Sequence, residues 1–396
     1  MMARSLTTAL RGRPGTTGTD VPTGVWRGKT PRLAWTVALL VCASHSASAR
    51  FDDPNSRSSP PNDDREDAAP IVARGRWVLM PNGQPAPYDD FQRGLQTSGL
   101  AWDGHLLWSV GDQRASFPGS LYAIDPKSGR LVQQPTPIRA DDPQIRSRLE
   151  AWSRLDLEDL AILSASERRF VAVLEDKATA ALVLQVNEDA TTALATAVWE
   201  FQFPGDDVPV PYRNDPNYRL EGIALDTADS RGYVAFERDA GGLPRLYQFD
   251  LRSTATTGIT AVPLQPLAFE GWSKLRGKPR TLLNANGLHL IRTRSGEPRL
   301  LVLCRDREMF FAIDPRSLEL VGQVECQLLS PEGERIEWVS PEGIAVDSDR
   351  GVVYIITDPD STDGNYRLRS TATAAGRFAE FVPLLFEVKL PTAFVR

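Results

Sequence analysis

One short segment recurs five times along the chain, and nothing else constrains its fold as strongly. The copies are Ser98-Gly99-Leu100-Ala101, Glu158-Asp159-Leu160-Ala161, Glu221-Gly222-Ile223-Ala224, Asn286-Gly287-Leu288-His289 and Glu342-Gly343-Ile344-Ala345. They begin at 98, 158, 221, 286 and 342, so successive copies are 60, 63, 65 and 56 residues apart, and 54 residues follow the last. A nearly constant period implies supersecondary units that bury their apolar faces against one another in a stack or a circle.

Each repeat continues in the same way. A strongly β-prone run ending in acid follows at 106–112, 170–176, 233–237, 300–306 and 352–358. A third run comes at 121–124, 182–185, 246–249 and 310–313. Turn chemistry then follows in Asp125-Pro126-Lys127-Ser128-Gly129 and in Asp314-Pro315-Arg316-Ser317. With a fourth run such as 322–328, each unit reads as four consecutive antiparallel strands. The expected fold is all-β, a single β-propeller of four-stranded antiparallel blades. Five countable motifs favour five blades; six would require a degenerate unit hidden in 71–97. The fifth unit lacks one strand and ends on 381–390, so 71–80 is expected to supply an outer strand and close the ring. Asp142-Pro143 followed by 144–152 reads as a capped helix between the first two units.

The region before the repeats has a different character. Within residues 1–49, Lys29 and Arg32 precede an apolar run at 33–43, and Ala47-Ser48-Ala49 has the small-x-small pattern of a signal-peptidase site. The run is short for a membrane span, so a signal peptide is expected over an uncleaved anchor, and an exported (periplasmic or secreted) protein with it. Val41 before Cys42 argues against a lipoprotein. Residues 50–70 form an Asp/Pro/Ser-rich linker too poor in apolar side chains to offset its ordering entropy. The propeller then occupies 71–396.

The leader carries six basic residues and one acid, so its removal shifts the net charge from −6 to −11. That sign repels phosphate backbones, and nucleic acid is not an expected partner. A small-molecule or carbohydrate-type ligand and a monomer are expected, with no membrane span after cleavage. Cys304 and Cys326 fall on the second and fourth strands of one blade, which are not neighbours, so free buried thiols are expected.

Topology converts the repeat into a location. In a blade the first strand starts, and the antiparallel second strand ends, at the same face. Ser98, Glu158, Glu221, Asn286 and Glu342 begin first strands. Asp112, Glu175/Asp176, Glu237/Arg238, Arg305/Asp306 and Asp358 end second strands. Both sets converge on one channel mouth. So many carboxylates at a narrow axis are costly unless compensated, and a hard divalent cation, Ca²⁺ before Mg²⁺, is the natural compensator. Glu158, Glu221, Asn286 and Glu342 are the expected metal ligands. Asp112, Asp176, Glu237, Arg238, Arg305, Asp306 and Asp358 form the expected substrate-binding rim. The bland alternative is that these acids accept hydrogen bonds from strand-start N–H groups, with Arg238 and Arg305 as counter-charges. The motif glycines are read as permitting close approach of crowded inner strands.

These repeats resemble the phytase-like, esterase-like family of bacterial propellers. Ser98 to Asp103 with Trp108 to Asp112 looks like its opening repeat, Leu220 to Asp226 with Ala235-Phe236-Glu237 a middle one, and Pro341 to Asp347 with Ile356-Thr357-Asp358 the closing one. The resemblance covers roughly 75–392, and a looser one extends to lactonase-type and other Ca²⁺-binding propellers. One departure is Asp159, which stands where the pattern has Gly. The family implies ester or phosphoester hydrolysis, although fold alone does not establish chemistry. A metal would polarise the substrate oxygen, with Glu158, Glu221 or Glu342 as base.

Lys274, Arg276, Lys278 and Arg280 precede the fourth motif, where they would attract an anionic substrate or simply form a solvated loop. Ser-His-Asp chemistry is disfavoured. His105 is expected in a turn at the opposite face and His289 as a packed residue, and no Gly-x-Ser-x-Gly elbow is present. Two functions remain open. One is a metal-assisted hydrolase of a phosphoester, ester or lactone. The other is a non-enzymatic binding propeller with a structural axial ion.

Overall fold

The computed structural model describes residues 70–87, 93–152, 155–175, 179–205, 208–215, 219–275, 282–337, 340–359, 367–368 and 382–396. The expected signal and nearly all of the linker lie outside the described residues, as do Asp176, Arg276, Lys278 and Arg280.

The fold is mostly β and built from several small antiparallel sheets, which follow the repeat. Two strands precede it: β1 (Ile71–Arg74) and β2 (Arg76–Trp77). The first unit contains β3 (Thr97–Trp102), β4 (Leu107–Gly111), β5 (Ser120–Ile124) and β6 (Thr136–Arg139). The second holds β7 (Leu157–Ser164), β8 (Arg169–Leu174), β9 (Ala180–Val186) and β10 (Ala193–Gln202). In the third are β11 (Leu220–Asp226), β12 (Arg231–Phe236), β13 (Arg245–Asp250), β14 (Gly258–Pro263) and β15 (Gln265–Leu267). The fourth comprises β16 (Gly287–Arg292), β17 (Pro298–Cys304), β18 (Met309–Ile313) and β19 (Leu320–Leu329). Last come β20 (Ile336–Glu337), β21 (Pro341–Asp347), β22 (Val352–Thr357), β23 (Arg367–Leu368) and β24 (Leu384–Lys389).

The first strands are neighbours in chain order. β3 packs on β7, β7 on β11, β11 on β16, β16 on β21, and β21 on β3. Five apolar clusters lie between consecutive sheets, each recruiting the large residues that alternate along the strands. Trp108 meets Phe170 between the first and second units, at 5.2 Å between ring centroids. Trp199 meets Phe249 between the second and third at 5.9 Å, and Trp272 meets Phe311 between the third and fourth at 5.8 Å. Phe310, Ile355 and Phe386 share the cluster between the fourth and fifth. Trp102 and Tyr354, at 5.7 Å, join the fifth to the first.

The outer edges depart from simple four-strand accounting. Residues 71–80 do not act as one strand: β1 pairs parallel to β19 of the fourth unit, whereas β2 pairs antiparallel to β24 of the fifth. A single extended run thus covers two open edges. β10 is long enough to pair parallel both with β6 and with β14, which links the first three units at their rims. The expected helix is present at Pro143–Ala151. Asp142 caps it by accepting from the N–H groups of Gln144 and Ile145. Cys304 and Cys326 are buried free thiols; burial pushes them up to about 11 and about 12. Among the described residues, no helix is long and apolar enough to cross a membrane.

Candidate functional site

A local irregularity aims the motif acids. In the second, third and fifth units the pairing of first and second strands skips one residue, and the extra residue is Glu158, Glu221 or Glu342. The first unit shifts register across Ser98-Gly99 in the same way. Such bulges turn a side chain out of the alternating pattern, here towards the end where the second strands finish. A second regularity lies two residues before each motif. The carbonyls of Gln96, Asp156, Arg219 and Ser340 accept from the N–H groups of Asp112, Glu175, Glu237 and Asp358. In the fourth unit the Asn284 side chain does this for Asp306, at 3.2 Å.

The result is a buried carboxylate cluster. Oxygens of Asp156, Glu158 and Glu175 lie within 4.8 Å of one another, as do those of Glu175, Glu221 and Glu237, so Glu175 belongs to both groups. Glu237 is fully buried. Its Oε1 accepts from Arg305 at 2.9 Å, while its Oε2 has no partner. Asn286 donates to Glu221 Oε2 at 3.2 Å, and the Arg219 backbone N–H donates to Glu175 at 3.1 Å.

Two arginines divide the neighbourhood. The Arg305 guanidinium bridges Glu237 and Glu342. Arg238 is buried, donates to Asp306 at 2.7 Å and lies over the Tyr212 ring. Burial, then repulsion from Glu221, Asp156, Asp112 and Glu342, raises the pKa of Glu158 well above the ordinary range. Glu175 and Glu221 are raised well above it for the same reasons. Burial also pushes Glu342 up, to about 6, against the pull of Arg305. Loss of water works against the charge of Arg305, but Glu342, Glu237 and Glu221 together raise its pKa well above the usual value.

The structure places Glu158, Glu221, Asn286, Glu342, Glu237, Arg305, Arg238 and Asp306 in one neighbourhood but gives them different partners. Glu342 is taken up by Arg305. The Asn286 carbonyl oxygen faces the Arg305 backbone N–H at 3.4 Å. Both are thereby weakened as metal ligands. The carboxylate oxygens that lie within 4.8 Å of one another sit instead on Asp156, Glu158, Glu175, Glu221 and Glu237. Asp112 and Asp358 lie near Tyr122, whose pKa is raised by burial and by both carboxylates. Asp156 and Asn284 were missed as site residues. The signal that finds them is their shared position two residues before the motif. His289 is packed, and burial pushes it down to about 4. His105 is exposed, in the turn after β3.

Asp159, where the other motifs have glycine or its equivalent, plays a separate part. It is fully buried and accepts from the N–H groups of Leu160 (2.8 Å), Ile223 (2.9 Å) and Leu288 (3.1 Å), and also from Leu100. Its carboxylate thus ties four first strands together. A Cβ on Gly99 would come within 2.2 Å of Asp159, and one on Gly343 within 2.7 Å of the Gly99 backbone. Here glycine is required by close approach.

No family model and no curated protein matches the chain. Solved structures similar to it include a luciferin-regenerating enzyme (13% identity, 75% of this chain and 94% of that one, TM-score 0.36). Others are a glutaminyl cyclase from Myxococcus xanthus (14%, 81% and 97%, 0.40) and the Cps50 (Swd1) β-propeller domain of Myceliophteria thermophila (13%, 73% and 82%, 0.29). Likenesses this distant carry no argument about the site, which stands on its own geometry.

Proposed function

We propose that the chain is an exported five-bladed propeller of phytase-like, esterase-like type, which holds a divalent cation, calcium foremost, in its carboxylate cluster and hydrolyses an ester, lactone or phosphoester there. Five interfacial cores, the last joining the fifth unit to the first, support the blade count and a closed ring. The observation that carries the function is the shared placement of Asp156, Glu158, Glu175, Glu221 and Glu237 with an unpartnered, fully buried oxygen on Glu237. An all-oxygen donor set with this surplus of negative charge matches a hard cation. A bound cation supplies polarisation of a substrate carbonyl or phosphoryl oxygen.

Glu158 is the base in this reading. It is only partly buried, it pairs with neither mouth arginine, and burial and the neighbouring acids raise its pKa above the ordinary carboxylate range, which makes it a stronger proton acceptor when ionised. Asp112 and Asp358 border the site, and Arg238 and Asp306 brace the wall behind Glu237.

The test is elemental analysis and calcium titration of the purified chain, joined to a hydrolase screen with and without chelator. The expected result is a bound divalent cation with Kd on the order of 10⁻⁵–10⁻³ M, and an activity lost with chelator and in Glu158→Gln. Glu221→Gln is expected to weaken the cation more than tenfold. Metal with no activity, and a Glu221→Gln effect confined to thermal stability, would leave the ion structural. No binding at millimolar calcium overturns the whole reading.

A further inference from the structure

Gln96 is buried without any exposed surface, yet neither its side-chain oxygen nor its nitrogen has a hydrogen-bond partner. Leaving both ends of an amide dry and unpaired is among the costlier things a fold does. Its backbone is also strained: φ is +40°, in the left-handed region that glutamine rarely enters. Two costs at one residue point to a site rather than to packing.

The repeat says where this residue stands. Gln96 occupies in the first unit the place that Asp156, Asn284 and Ser340 occupy in the second, fourth and fifth. Its carbonyl accepts from Asp112 N–H as that of Asp156 accepts from Glu175 and that of Ser340 from Asp358. Strand register agrees, since Thr97 faces Gly111 as Leu157 faces Leu174. In the second, fourth and fifth units the equivalent side chain reaches the carboxylate cluster, and in the third the Arg219 backbone N–H does. Asp156 lies within 4.8 Å of Glu158 and Glu175, Asn284 donates to Glu237, and the Ser340 hydroxyl donates to Glu342 at 3.3 Å. The first unit has no acid at the motif start, only buried Ser98, just as the fourth has only Asn286. Its contribution at the motif start is therefore neutral.

We infer that Gln96 is a neutral oxygen ligand, through its side-chain carbonyl, of the divalent cation in the mouth. This rests on the reading of the cluster as a cation site and adds a residue to it. Side-chain amide carbonyls are ordinary ligands for hard cations, which take six to eight oxygens. A carbonyl adds coordination without adding to a charge already in excess. It would also explain why the amide oxygen carries no protein partner.

Gln96→Gly separates this role from a structural one, because glycine accepts the positive φ without strain while removing the donor. Calcium titration calorimetry on the full chain, with thermal melts in chelator, reads both. The expected result is a Kd raised about tenfold, with the chelator-treated melting temperature unchanged or higher. Gln96→Glu, which keeps an oxygen, is expected to bind at least as tightly as the parent. If the parent binds calcium and Gln96→Gly binds it equally well, the assignment of Gln96 falls while the mouth stands. A lower melting temperature in chelator with unaltered affinity makes Gln96 structural and likewise sinks it. A parent that binds no divalent cation overturns the reading of the mouth and this inference with it.

Discussion

Glu158 and Asp159 are adjacent on one strand, and both carry carboxylates away from bulk water, yet they solve that problem in opposite ways. Asp159 is surrounded by donors: four backbone N–H groups from β3, β7, β11 and β16 converge on it. Glu158 is surrounded by acids, with Glu221, Asp156, Asp112 and Glu342 all raising its pKa. The first arrangement is complete within the protein. The second is not, and its incompleteness marks the functional end of the molecule. Burial alone does not separate a structural acid from a functional one; the inventory of partners does.

The largest effect that would break this comparison is expected at Asp159. Asp159→Gly restores the residue of the neighbouring motifs but leaves four buried amides without an acceptor. An orphaned buried donor costs about 1–3 kcal/mol, so with four of them a loss of at least about 4 kcal/mol in a urea melt is expected. Calcium should not reverse it. Recovery by calcium would mean that Asp159 and the mouth form one site, and the two acids would not differ in kind.

Arg305 tests the other half. It is the internal cation of the mouth, holding Glu237 and Glu342. Removing one partner of a buried ion pair costs about 3–5 kcal/mol because a charge is left uncompensated. Arg305 is partly exposed, which places Arg305→Met near the lower end, at about 3 kcal/mol in chelator. Here calcium is expected to restore most of the stability and to bind with at least one additional equivalent, read by equilibrium dialysis. An equal loss with and without calcium would show that the arginine, not a metal, is what the acids were built around.

Much of this was legible in the chain itself. Motif spacing located the first strands, and strand direction alone predicted that motif acids and second-strand ends would meet. Two things were not. Gln96, Asp156, Arg219, Asn284 and Ser340 share a position but no chemistry, so no pattern of residue types exposes them; only their place two residues before each motif does. The role of Asp159 depends on amides 64 and 129 residues away in Ile223 and Leu288, and amides carry no sequence signal. The edge pairings of β1 and β14 were similarly hidden, since main-chain hydrogen bonds at a sheet rim are nearly indifferent to side chains.

The smallest effect is the dependence on pH; burial raises Asp159 as it raises the mouth acids, so the sign is shared and only the response to calcium separates the two kinds of acid. A carboxyl whose folded pKa lies above its unfolded value stabilises below the unfolded value, and that stability is lost as pH rises through the folded one. For Glu342 the window runs from 4.5 to about 6, which corresponds to about 2 kcal/mol. Glu158, Glu175 and Glu221 are raised well above 4.5 and extend the loss to higher pH. Asp125 and Asp229, held below 3.8 by their partners, act in the opposite sense and at lower pH, so the windows do not overlap. In chelator, the melting temperature is expected to fall from pH 4.5 upward by a few degrees. Calcium should flatten or invert that slope, because a cation keeps the same carboxylates ionised and displaces their protons. Thermal melts across pH 4–8 with and without calcium read the difference directly. Parallel slopes would mean that the mouth acids titrate without a cation, and that the mouth, like Asp159, is complete in itself.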